Sequence, residues 1–246
     1  GFSAAGFSAA GFASAAGYQA TVGLGTTVTP TFGPTISAPT TIAASFAAAV
    51  PTLYWDIDGE TPGAGGTTPA GTWNDVNTYW NTDYTGGGAP ANVTAWSAGN
   101  TARFGAGADA DGVYTVTVEG AKDITGLGFD EGTVTLAAGT DGELQISGDS
   151  IVYAAPGAAG IVETPVSDDG SARRLVKSGA GTVTISGNLS HTGGTAVVSG
   201  GGTLILSGSN AAATGGMSLD GGVTQFQSPA SVNGTDRDVA VNFGGT

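Results

Sequence analysis

The residues best suited to chemistry are carboxylates beside glycine. The stretches Asp-Ile-Asp-Gly-Glu (56–60) and Asp-Ala-Asp-Gly (109–112) place oxygen ligands at alternate positions before a bend that glycine permits. Calcium loops are built this way, so Asp56, Asp58, Asp109 and Asp111 are the weak candidate Ca2+ ligands. Neither stretch carries the distal bidentate Glu that completes such a loop, and Asp-Gly is also a common turn pair. A structural turn is the competing reading at both places, and no other cofactor is implied. His191 is the only histidine, which removes any histidine pair for a metal and leaves a Ser-His-Asp triad without support nearby in the sequence. Glu119, Asp130, Glu131, Glu143 and Glu163 include enough acids for a glycosidase pair, but such grooves recruit cations that this chain scarcely has. The expectation is a protein that is not an enzyme.

Trp55, Trp73, Trp80 and Trp96, all the tryptophans of the chain, fall in one short stretch among polar loops. They read either as the small core of a cap or as an aromatic platform for a glycan. Asn92, Asn188 and Asn233 each begin an N-x-Ser/Thr triplet, which a Thr/Ser-rich chain also produces by chance. The glycine runs lack the lysine of a phosphate loop.

Composition narrows the partners. The 246 residues hold 45 glycines, no cysteine and a net charge of −14 with only six cations. A surface this acidic repels phosphate backbones and anionic lipids, so neither nucleic-acid binding nor membrane insertion is expected. The longest apolar run, Ile42 to Val50, is too short to span a bilayer. The lack of an initiating Met fits a chain from which a signal peptide has been removed.

The elements that must position these residues are strands. Residues 1–54 carry no charge and open with aromatics spaced about five apart, Phe2, Phe7, Phe12 and Tyr18. Val22, Leu24, Val28 and Phe32 then alternate with threonines, the period of a strand with one apolar face. From Val113 onward short alternating strands each end at glycine, and Gly-Thr-Val-Thr-Ile-Ser-Gly at 181–187 returns as Gly-Thr-Leu-Ile-Leu-Ser-Gly at 202–208, an offset of 21. That period suits one coil of a β-solenoid, in which no coil is stable alone.

The stretch 175–208 resembles the autotransporter-associated β-strand repeat, also called the passenger-associated transport repeat, of exported bacterial surface proteins. Leu175, Lys177, Gly179, Gly181, Thr182, Val183, Ile185, Ser186 and Gly187 match its motif in order, and Thr192, Gly193, Gly194, Thr195, Gly202, Thr203, Leu204 and Leu206 continue it. His191 stands where that family usually has an aromatic. Residues 55–120 are similar to the leader that precedes such repeats. The resemblance implies a right-handed parallel β-helix that is exported and displayed or shed; residues 1–54 match no part of the family.

The expected architecture is all-β: a right-handed parallel β-helix or β-solenoid body at 113–246, a Trp-rich N-terminal β cap or sub-domain at 55–112, and an extended uncharged arm at 1–54. The expected function is a structural subunit of an extracellular bacterial filament or matrix. In that reading the arm donates a strand to a neighbouring copy through Phe2, Phe7, Phe12, Tyr18, Val22, Leu24, Val28 and Phe32. The alternative is an exported adhesin or glycan-binding passenger fragment at the cell surface, with the tryptophans touching surface glycans.

Overall fold

The computed structural model describes residues 51–59, 61–87, 92–208 and 215–226, and the backbone of 239–241. The proposed arm residues Phe2, Phe7, Phe12, Tyr18, Val22, Leu24, Val28 and Phe32 lie outside the described residues. In chain order the strands are β1 (Thr52–Trp55), β2 (Gly71–Trp73), β3 (Trp80–Asn81), β4 (Val93–Thr94), β5 (Asn100–Phe104) and β6 (Val113–Val118). They continue with β7 (Ala121–Phe129), β8 (Thr133–Ala138), β9 (Glu143–Ala154), β10 (Ala159–Val162), β11 (Val166–Asp168) and β12 (Leu175–Ser178). The last are β13 (Thr182–Ile185), β14 (Thr195–Val197), β15 (Thr203–Leu206), β16 (Met217–Leu219), β17 (Val223–Phe226) and β18 (Val239–Val241).

These strands wind into a parallel β-solenoid. Successive coils place one strand in an 11-stranded sheet, ordered β18-β16-β14-β12-β9-β7-β5-β1-β3-β4 with β11 also paired to β9, and one in a seven-stranded sheet, ordered β17-β15-β13-β10-β8-β6-β2. All pairings are parallel except β1 with β3 and β3 with β4. Parallel pairing in register stacks like positions of successive coils into columns. Val116, Leu136, Val162, Ile185 and Leu206 form one inward column of the smaller sheet. Trp55, Phe104 and Phe129 form another in the larger sheet, the two phenyl rings stacked at 5.7 Å. A side-chain period of two turns most threonines and serines outward while these columns fill the core.

Two glycines show how closely the coils fit. Gly132 turns the corner into β8 with φ of 60°, and a Cβ there would run into carbonyl oxygens of Ala110 and Gly112 in the coil before. Gly160 occupies an inward position of β10 because the Phe129 ring fills the space its side chain would need.

The boundary expected at residue 113 is displaced. β1 and β5 pair in parallel with each other and β5 with β7, so the larger sheet begins at Thr52. The compact unit runs from Val50 to Thr246, and the Trp-rich stretch is continuous with the body. The reason is packing: Trp55, Trp73 and Trp80 rest on Phe104, a column residue, at centroid distances of 6.0, 5.9 and 5.7 Å.

Candidate functional site

Three of the aspartates singled out as calcium candidates, Asp56, Asp58 and Asp109, build one loop between β1 and β2. Asp56 is fully buried; its Oδ1 accepts the amides of Asp58 (3.2 Å) and Gly59 (2.8 Å), and its Oδ2 accepts Nδ2 of Asn81 at 2.8 Å. Burial pushes its pKa up, and those same hydrogen bonds pull it back. Asp109 clamps the far side of the loop, Oδ1 accepting the amide of Ala64 (2.6 Å) and Oδ2 that of Gly66 (2.7 Å). Asp58 is exposed and takes the hydroxyl of Thr61 at 2.8 Å, while Asp111 is exposed on the neighbouring turn. Among the described residues no group of three or more His, Cys, Asp or Glu is arranged to hold a metal ion. Amide N–H groups are bonded to both carboxylate oxygens of Asp56 and of Asp109.

The tryptophans are inside. Trp55, Trp73 and Trp80 are fully buried and Trp96 is 7% exposed. Trp73, Trp80 and Trp96 meet pairwise at centroid distances of 4.8 Å, in edge-to-face and tilted contacts. Trp55 donates its indole N–H to Pro69 O at 2.7 Å; the other three indoles have no such acceptor, and the edge-to-face packing offers them ring faces instead. A glycan platform made of tryptophan is therefore overturned by burial. These rings are the plug of the first coils.

His191 is also buried, its Nε2 in a 3.0 Å hydrogen bond with the hydroxyl of Thr195. Glu119 and Glu163 are exposed, and Glu143 is half-buried at the start of β9. Asp130 is taken by Arg103, whose Nε reaches it at 2.8 Å and whose Nη2 closes a bidentate pair. Next to it burial, with Asp109, Asp111 and Asp130 adding repulsion, pushes the Glu131 carboxyl up. Asn188 is exposed, Asn92 half-buried, and Asn233 lies outside the described residues.

Two features were not legible in the sequence as sites. Lys122 and Lys177, each 1% exposed, stand in inward columns. Lys122 lies on the column of Leu144 and reaches out to Asp75 at 2.7 Å. Lys177 lies between Val152 and Val197, and its Nζ donates to Ser178 O (2.7 Å), Gly179 O (2.8 Å) and Gly201 O (2.7 Å). The second feature is a row on the outer face of the larger sheet, where register aligns Tyr54, Arg103, Gly128 and Tyr153. The alternation of β1, β5 and β9 pointed outward at each of these positions; only the stacking of coils brought them together.

The fold thus defines a parallel β-solenoid plugged at its first coils by an aromatic cluster. Comparison with protein-family models, curated proteins and solved structures finds no match to the chain.

Proposed function

We propose that the chain is a structural subunit of an extracellular bacterial filament or matrix, with no catalytic role, and that it polymerises through residues 1–54. The observation that carries this reading is the difference between the two ends of the solenoid. At the first coils the outer edge of β1 is covered by antiparallel β3 and the core is closed by the tryptophans. At the last coils β17 ends the seven-stranded sheet with no described strand beyond it. Phe226, in register with inward Leu206, is 45% exposed there. An edge that no described strand pairs, beside an exposed inward Phe226, is a template for another strand.

Val22, Leu24, Val28 and Phe32 of a second copy supply such a strand, with main-chain hydrogen bonds giving affinity and apolar side chains giving register. Head-to-tail contacts of this kind do not close and so propagate.

The test compares the full chain with a variant lacking residues 1–40, by light scattering and electron microscopy. Polymer is expected from the full chain alone, and Phe226→Asp is expected to slow its growth. Assembly unchanged by the deletion would sink the proposal.

A further inference from the structure

We propose that the outer face of the larger sheet, along the row Tyr54–Arg103–Tyr153, binds a neutral carbohydrate chain. The reading is independent of polymerisation. It begins with what β7 lacks on this face: Gly128 offers no side chain, and the stem of Arg103 lies across it where a Cβ would stand. The guanidinium thereby comes over the Tyr153 ring, its Cζ 4.8 Å from the ring centre. Asp130 fixes it there through Nε and Nη2, leaving Nη1 for a further acceptor. At the other end of the row Tyr54 meets Tyr84 edge-on, with ring centroids 6.5 Å apart, and Tyr84 is 68% exposed.

The result is a strip of planar groups on β1, β5 and β9, with Gly128 of β7 leaving the gap into which the Arg103 stem folds. Strands paired on both sides hold it rigid, so binding orders little that was free. The apolar C–H face of a pyranose, with its partial positive charge, complements the electron-rich face of tyrosine. Ring hydroxyls at its edge match the fork, which keeps one guanidinium N–H pair and spare carboxylate lone pairs. Charge selects among polymers. The cation of the strip is already balanced by Asp130, and the chain as a whole carries −14, so an acidic polysaccharide meets net repulsion.

Electrophoresis of the full chain through gels containing hydroxyethyl cellulose or soluble starch, with alginate as the acidic comparison, tests this. Retardation is expected in at least one neutral gel and not in alginate. Tyr84→Ala and Tyr54→Ala should each weaken it about three- to tenfold. Val76→Ala, at an 80% exposed position away from the strip, should leave it unchanged. Absence of retardation in both neutral gels, equal retardation in alginate, or retardation that survives both tyrosine substitutions together would each overturn the proposal. So would self-association that depends on these tyrosines without any glycan effect, because the face would then belong to another copy.

Discussion

Lys177 is an ammonium in a hydrophobic column, and its protonation can be followed through stability. Burial pushes its pKa from the ordinary lysine value of 10.5 down to about 8, while three carbonyl oxygens around Nζ favour the charged form. If burial wins, the folded chain releases this proton before the unfolded chain does. Between those two pKa values the unfolded state then binds more protons, so stability rises with pH. The full displacement is worth about 3 kcal/mol, at roughly 1.36 kcal/mol per pH unit. Urea unfolding of the natural chain and of Lys177→Met, from pH 7 to pH 10, isolates the effect, since Met keeps an unbranched stem and has no titrating group. The natural chain should gain about 2.5 kcal/mol on the variant across that range. A flat difference, or one that falls with pH, would refute the reasoning and mean that the carbonyl cradle holds the proton more firmly than burial expels it.

Two further outcomes follow from the packing. Gly160→Val should destabilise by about 1–3 kcal/mol, because the Phe129 ring occupies the site of the new side chain; calorimetry that shows no drop in Tm would contradict that account. Asp109→Asn leaves one oxygen to serve two amides, so hydrogen exchange at Ala64 and Gly66 should quicken, with about 1 kcal/mol lost. Unchanged exchange at those amides would show that the loop is held by something else.

Much of the architecture was legible because a parallel solenoid repeats its own sequence. The offset of 21 between Thr182 and Thr203 is the register of β13 on β15, and the alternation of Val183, Ile185, Leu204 and Leu206 is the inward column itself. The cap reading of the tryptophans was legible for a similar reason: large aromatics near strand positions are cheapest to bury together. The acidic stretches could be read two ways because Asp-Gly serves cation loops and tight turns alike. Only the distant partners of Asp56 and Asp109, Asn81 and the 64–66 amides, separate the two.

What the sequence by itself determined is the repeating strand, its apolar face and its glycine corners, since each is a property of neighbouring residues. What only the tertiary structure decided is everything that depends on which coil lies above which. Lysine at position 177 looks like a surface residue until the next coil brings Gly201 O to its ammonium. Tyr54, Arg103 and Tyr153 lie about 50 residues apart in successive steps and become one row only by register. The physical reason is the same in both cases. A β-coil cannot satisfy its own edges, so the contacts that give it chemistry come from its neighbours.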